Sequence, residues 1–170
     1  MRISASDAKS VLHAAHSAWS KGDVEGTLAY YSDDLLYICN KGGIDGSPLA
    51  VSGKEHFRDF LLPIMETVDI STAVQQFHFE GQIGRALIRC HIRHRETGLT
   101  HLSDYMQIMR FRHSRIYRMF ELHDLERMTA LWQFVLCEAE DPHLTIAKPT
   151  PPASDQDWRN QLPPNWYRKG

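Results

Sequence analysis

The chain has 170 residues, of which 42% are hydrophobic and 24% charged, and a formal net charge of −2. This length and balance predict one principal globular domain that is large enough to bury its own core. A net charge so close to zero argues against binding to nucleic acid or to an anionic membrane surface. No stretch approaches the roughly 18–20 apolar residues that a membrane span needs.

The cysteines and the first residues of the chain indicate where in the cell the protein is located. The three cysteines, Cys39, Cys90 and Cys137, are widely spaced and form no C-x-x-C pair. An odd, scattered set of this kind indicates reduced thiols rather than a disulfide framework. The opening "MRISASDAKS" is polar and lacks the apolar run of a secretory signal. We therefore expect a cytoplasmic protein.

Helical patterns come first in the chain. Residues 4–22 carry apolar side chains at helical spacing, behind a capping-box pattern formed by Ser4 and Asp7. The Gly-Asp pair that follows predicts the end of this helix and the cap of a short second one over 24–31.

A strand and a third helix are predicted next. The apolar run "LLYIC" at 35–39 is typical of a strand, and the Gly-rich stretch at 40–53 predicts a loop. Ser52 and Glu55 form a second capping-box pattern, which predicts the start of an amphipathic helix.

From residue 68 onward the hydrophobic period changes from helical spacing to two. This alternation predicts strands at about 70–80, 84–96 and 101–112, separated by turn-like breaks. The stretch "RIYRMFELHD" at 115–124 predicts a fourth long strand, and Asp124 then begins a final helix.

The last part of the chain differs in composition. Residues 138–170 hold six of the eight prolines and show no hydrophobic periodicity. Trp158, Trp166 and Tyr167 are costly to leave exposed, so we expect this tail to dock on the domain or on a partner subunit. The predicted organisation is a domain at 1–137 and an extended Pro-rich tail at 138–170.

The order of elements predicts the fold class. Three N-terminal helices followed by long antiparallel strands indicate an α+β domain, with the helices packed on one face of a curved mixed or antiparallel sheet, plus a C-terminal helix and the tail. A curved sheet closed by helices leaves a cone-shaped pocket on its concave side. Such a pocket is suited to a small apolar organic ligand.

Two segments resemble a known family. "AHSAWSKGDVEGTLAYYSDDL" is similar to the opening of SnoaL-like and ketosteroid-isomerase-like proteins of the nuclear-transport-factor-2-like superfamily, and "MRFRHSRIYRMFELHD" is similar to their closing hairpin. The resemblance covers roughly residues 5–135. It implies the cone-shaped fold but not a reaction, since this fold carries isomerases, cyclases, dehydratases, hydrolases and binding proteins.

The resemblance can be followed residue by residue. Where ketosteroid isomerases carry a carboxylate base, a phenol donor and a second acid donor, this chain has Cys39, Ala15 and Gln107. Steroid isomerisation by that mechanism is therefore not expected. SnoaL-type cyclases use a late His and Asp, and His123 and Asp124 occur in that region.

The closing hairpin decides which residues reach the pocket. Its turn, "RHSR", is one residue shorter than the family pattern, and a one-residue slip would turn every side chain to the other face. The resemblance implies that the opposite face, with Ile116, Phe120 and Leu122, packs against a second subunit in a homodimer. The residues it directs inward are Tyr105, Gln107, Met109, Phe111, Tyr117, Met119, Glu121 and His123.

Glu121 and His123 are the predicted acid–base pair. In a pocket of low dielectric the pKa of Glu121 would rise, and contact with Glu121 would hold the imidazole charged or fix its tautomer. Such a pair could move a proton next to a carbonyl, with Gln107 or Tyr105 polarising the oxygen. The protein would then be a cofactor-free isomerase, cyclase or dehydratase. The alternative is a non-catalytic binding protein in which an Arg or Tyr satisfies Glu121 and His123 caps the next helix.

The remaining pocket candidates are wall residues. Trp19, Tyr37, Cys39 and Tyr105 are predicted to contact the substrate, together with Met109, Tyr117 and Met119. Cys39 is more typical of a small buried side chain than of a nucleophile, because the sequence assigns it no basic partner. We expect no metal and no organic cofactor, since no histidine set has a recognisable ligand spacing.

Overall fold

A computed structural model describes residues 2–40, 48–124 and 126–131. Three helices precede the long strands: α1 (Ala5–Trp19), α2 (Val24–Leu28) and α3 (Lys54–Thr67). The strands are β1 (Tyr31–Cys39), β2 (Leu49–Ser52), β3 (Val68–Glu80), β4 (Ile83–His94), β5 (Thr100–Arg112) and β6 (Arg115–Leu122). Residues 126–131 are again helical.

The six strands form one sheet in the order β2-β1-β6-β5-β4-β3. All neighbours are antiparallel except β1 and β6, which run parallel. The helices pack on the inner face of this sheet, where the main core lies. The predicted α+β cone is confirmed, and the parallel β1–β6 pair places two distant parts of the chain side by side.

Local signals explain most of the boundaries. Ser4 caps α1, since its side chain accepts a hydrogen bond from the backbone N–H of Asp7, as the capping box predicts. The prediction from the second capping box is wrong. Ser52 is the last residue of strand β2, which lies in a stretch that was predicted to be a loop. Gly53 therefore occupies the N-cap of α3, and it makes no side-chain hydrogen bond there.

The β5–β6 turn is tight and lacks glycine. His113 and Ser114 have φ values of 49° and 60°, the left-handed conformation that a two-residue hairpin turn requires at both central positions. Arg112 and Arg115 pair directly on either side of the turn. The short "RHSR" segment therefore closes the hairpin without an additional loop residue.

A β-bulge in β6 then corrects the register. Phe111 pairs with Ile116, but Arg110 pairs with Arg118, so Tyr117 is the additional residue. This insertion lets Ile116 and Met119 both enter the inner core. The prediction that Ile116 lies on the outer face is thus wrong, while the residues after the bulge keep the alternation that turns Glu121 inward.

The outer face of the sheet has a small apolar cluster of its own, formed by Ile38, Ile108 and Phe120. Nearby on β5, Leu102 and Met106 are 58% and 44% exposed. None of the helices in the described parts of the chain is both long and apolar enough to cross a membrane. The predicted tail at 138–170 lies outside the described residues.

The inner core can be tested with a buried and an exposed apolar residue. Met119 has 0% of its surface exposed, whereas Leu62 on α3 is 43% exposed. We expect Met119→Ala to lower the free energy of unfolding by about 2–5 kcal/mol, because it leaves a cavity in a closed core. Leu62→Ala should change it by less than about 0.5 kcal/mol. Urea unfolding measures both, and equal effects would contradict the inner placement of Met119.

Candidate active site

A cavity of about 140 Å³ lies between the helices and the inner face of the sheet. Most of its wall is apolar or aromatic, with contributions from α1, α3 and the central strands. Polar groups gather where β1, β6 and β5 adjoin. There the strand register brings Cys39 and Gln107 into direct pairing with Glu121, one from each side.

Glu121 is the centre of these polar groups. The Tyr37 hydroxyl donates to Oε2 at 2.7 Å, and the Gln107 amide donates to Oε1 at 2.7 Å. Nε2 of His123 lies 3.1 Å from Oε2. A buried carboxylate is stable only when donors replace the lost water, and three side chains from three strands supply them here.

These donors reverse the expected shift at Glu121. Burial by itself raises the pKa of the carboxyl, but the imidazole of His123 and the bonds from Tyr37 and Gln107 outweigh it, so the pKa is lowered. The expectation that low dielectric would raise this pKa is therefore wrong. The carboxylate stays ionised, and its lone pairs are already engaged.

His123 is the positive partner. Burial lowers the pKa of the imidazole, but hydrogen bonds with Cys39 and Glu121 outweigh burial and raise the pKa to about 10. The ring of Tyr105 stacks on it, with centroids 4.3 Å apart and planes inclined by 22°. An aromatic face beside an imidazole favours the cation. The expectation of a charged imidazole agrees with this arrangement.

His16 on α1 extends the network from the opposite wall. Its Nε2 lies 2.9 Å from Oε1 of Gln107, and its Nδ1 lies 2.8 Å from the hydroxyl of Thr72. Burial lowers the pKa of His16, against the raising effects of Gln107 and Glu121. A neutral ring fits both contacts: Nε2–H donates to the Gln107 oxygen, which leaves the Gln107 amide nitrogen to donate to Glu121.

Sequence reasoning missed the role of His16. His13, one turn earlier on α1, is exposed, whereas His16 is buried. A polar residue among the apolar positions Leu12 and Ala15 was the available signal, since such a residue needs a partner. The partners, Thr72 and Gln107, are too distant in sequence to be predicted.

The predicted site residues divide into two groups. Met109, Tyr117 and Met119 do not belong to the cavity wall. Met109 and Met119 are fully buried and pair with each other nearer the hairpin turn, where the core is closed. Tyr117 is the bulge residue, and its ring lies 4.8 Å from the guanidinium carbon of Arg112. The predicted residues that do line the cavity are Trp19, Tyr37, Cys39, Tyr105, Gln107, Glu121 and His123.

Asp124 has a structural role. Its side chain is exposed and accepts a hydrogen bond from the backbone N–H of Arg127, so it caps the helix at 126–131. Of the late His and Asp that the cyclase pattern uses, only His123 therefore faces the cavity. The partner of His123 is instead Glu121, two residues earlier.

One group of side chains has the chemistry of metal ligands. Sγ of Cys39, a carboxylate oxygen of Glu121 and a ring nitrogen of His123 all lie within 4.8 Å of one another. Thiolate, carboxylate and imidazole are donors that zinc accepts. A cation here would have to replace the Glu121–His123 contact and compete with Tyr37 and Gln107 for the carboxylate. The contacts among these three side chains therefore occupy the same atoms that an ion would bind.

Sequence comparison identifies the family. The SnoaL-like domain pattern matches residues 12–119, which includes most of the cavity wall. The chain belongs to the SnoaL-like family. No curated protein is detectably similar to it in sequence.

Solved structures agree with the SnoaL-like fold at low sequence identity. An NTF2-like protein of unknown function from Burkholderia pseudomallei K96243 matches with TM-score 0.66 and 16% identity, over 74% of this chain and 96% of its own. A proposed polyketide cyclase from Xanthomonas campestris pv. campestris matches with TM-score 0.62 and 18% identity, over 74% and 96%. An LEH-like epoxide hydrolase from M. tuberculosis matches with TM-score 0.63 and 15% identity, over 78% and 94%.

The charged state of His123 gives a pH prediction. A folded-state pKa of about 10, above the ordinary value of 6.5, stabilises the fold fully below pH 6.5. That contribution is lost as the pH rises through 10. We expect His123→Gln to be less stable than the wild type at pH 6, and the difference to shrink towards pH 10. Urea unfolding at a series of pH values measures this.

The matched control for this titration is His91→Gln, since His91 is exposed on β4. Its stability should follow the wild type at every pH. A constant difference between His123→Gln and the wild type from pH 6 to pH 10 would contradict a protonated His123.

Proposed function

We propose that this SnoaL-like protein binds a small, largely apolar carbonyl compound and transfers a proton next to the carbonyl, as a cofactor-free isomerase, cyclase or dehydratase. The observation that carries the proposal is the Glu121–His123 contact on the wall of an apolar cavity. The side chains of Glu121 and His123 are 15% and 12% exposed, so both are largely withdrawn from water but border the space that a ligand would fill.

The pair supplies an acid and a base at once. The imidazolium of His123 donates a proton or a hydrogen bond to the carbonyl oxygen, and the carboxylate of Glu121 removes the neighbouring C–H proton. In the ligand-free site, the three donors make this carboxylate a weak base. When His123 turns to the ligand oxygen, Glu121 loses one donor and becomes more basic.

The resulting enol can follow two routes. Return of the proton from Glu121 to a different carbon gives an isomerised product. Departure of a group from the adjacent carbon gives an unsaturated product. Gln107 fixes the position of the carboxylate, and Tyr105, stacked on His123, holds the imidazolium plane. Neither route requires a metal or an organic cofactor.

A second function is ligand binding without turnover. It is favoured by the complete hydrogen bonding of Glu121, whose partners include Tyr37 at 2.7 Å. In that case the carboxylate and imidazolium would fix the orientation of a bound molecule and remain in their ligand-free contacts. The two functions differ in one measurable respect, the exchange of carbon-bound protons.

Proton exchange in deuterated water tests catalysis without knowledge of the natural substrate. The probe is 2-tetralone, an apolar ketone whose α-protons are lost from the proton NMR spectrum as deuterium enters. We expect the protein to accelerate this loss over buffer, and Glu121→Gln and His123→Gln to lower the rate by about 10²-fold, the usual scale of acid–base catalysis.

Two exposed residues supply the controls. Glu80→Gln and His91→Gln change the same side-chain types on β3 and β4, outside the cavity wall. Their exchange rates should equal that of the wild type. Circular dichroism verifies folding, since breaking a buried ion pair costs about 3–5 kcal/mol. Binding of 2-tetralone without accelerated exchange would refute catalysis and support the binding function.

We also propose that the protein is a homodimer joined through the outer face of the sheet. This proposal is supported by the apolar cluster of Ile38, Ile108 and Phe120 and by the exposed side chains of Leu102 and Met106 on the same face of β5 as Ile108. An apolar sheet face of this kind is typical of a subunit interface.

Sedimentation equilibrium tests the association. We expect twice the chain mass for the wild type and a single chain mass for Met106→Asp, because a carboxylate at the centre of an apolar interface cannot be solvated. Glu80→Gln, at an exposed site on β3, should remain dimeric. A wild type that sediments as a single chain would refute the proposal.

A further inference from the structure

Two cysteine side chains line the same cavity in different surroundings. Cys39 on β1 is 3% exposed and Cys90 on β4 is 5% exposed, so exposure does not distinguish them. The side chains around each sulfur atom do distinguish the two residues. Cys39 lies beside His123 and Glu121, with Sγ, a ring nitrogen and a carboxylate oxygen all within 4.8 Å of one another.

We propose that Cys39 is a nucleophile activated by His123, with Glu121 as the orienting carboxylate, and that it forms a thioester with the acyl group of an apolar ester bound in the cavity. This activity uses the same cavity as the proposed proton transfer but different chemistry. Covalent acyl transfer requires a thiol, an imidazole that contacts it and a carboxylate that contacts the imidazole.

The strand register produces this arrangement. Cys39 and Glu121 are direct partners in the parallel β1–β6 pair. His123 is two residues after Glu121 and is the first residue after the end of β6. Nε2 of His123 lies 3.1 Å from the carboxylate, which orients the ring. The stacked ring of Tyr105 restricts rotation of the imidazole further. The imidazole therefore lies close to both the carboxylate and the sulfur atom.

The reaction balances with water as the only co-reactant. Sγ of Cys39 attacks the acyl carbon, a C–S bond forms and the C–O bond to the alcohol breaks. The imidazolium of His123 gives its proton to the departing oxygen and takes the proton of the thiol. Water then attacks the thioester, the C–S bond breaks, and one proton of the water passes through His123 to the sulfur. Release of the carboxylic acid restores the thiol and the imidazolium.

The electrostatics of the two thiols support the assignment. A hydrogen bond with Cys39 is the first of the causes that raise the pKa of His123 to about 10, in keeping with the contact between the two side chains. Burial, with a smaller contribution from the charge of Glu121, raises the pKa of Cys90 to about 12. Cys90 is thus an internal control: a thiol that faces the same ligand space without an imidazole.

Alkylation rates test the activation directly. The full chain is treated with iodoacetamide at pH 7, and peptide mass spectrometry follows each cysteine separately. We expect Cys39 to react at least tenfold faster than Cys90. In His123→Gln, the rate at Cys39 should fall at least tenfold while the rate at Cys90 is unchanged. Equal rates at the two thiols, or no effect of His123→Gln on Cys39, would overturn the proposal.

Acyl transfer is tested with p-nitrophenyl butyrate. We expect a burst of p-nitrophenol, a butyryl group on the peptide that contains Cys39, and loss of both in Cys39→Ser. His91→Gln, an exposed change on β4, should keep the burst. A butyryl group on another residue, or a burst in Cys39→Ser, would refute the nucleophile. Deuteration of 2-tetralone forms no acyl group, so retained exchange without acylation would refute this proposal alone.

Discussion

The buried carboxylate of Glu121 is the constraint on which the rest of the site depends. A charge withdrawn from water is tolerated only if donors surround it. Those donors are Tyr37 on β1, Gln107 on β5 and His123 just after β6. A shift of β1 or β5 would remove one of these donors from the buried carboxylate, so this single side chain helps to fix the strands against one another.

The bulge at Tyr117 is what places Glu121 there. The β5–β6 turn is short, and without an additional residue β6 would present the other face to the cavity. The inserted residue brings Ile116 and Met119 to the same side and keeps Glu121 opposite Gln107. A glycine-free turn and a one-residue bulge thus compensate each other. The tight turn is acceptable because His113 and Ser114 adopt positive φ.

The sequence was informative where the signal is local. The N-cap of α1 and the change of period after α3 follow from neighbouring residues, whereas the inward direction of Glu121 came from the family resemblance. Strand β2 was not predicted because its four residues, Leu49–Ser52, are too few to show a clear alternation within a Gly-rich stretch. The bulge was invisible because Tyr117 is an ordinary strand residue, and its displacement depends on pairing with β5. The role of His16 depended on contacts 56 and 91 residues away.

One imidazole serves both proposed chemistries, and this has a physical consequence. His123 contacts both Glu121 and Cys39, and both contacts favour its positive charge. A ligand that takes the imidazole proton weakens both contacts together, so the carboxylate becomes more basic and the sulfur more available for attack in the same step. The position of the electrophilic carbon then decides between removal of its neighbouring proton and attack by sulfur. Specificity in this cavity is therefore a matter of ligand orientation, which its apolar wall and the fixed Tyr105–His123 stack impose.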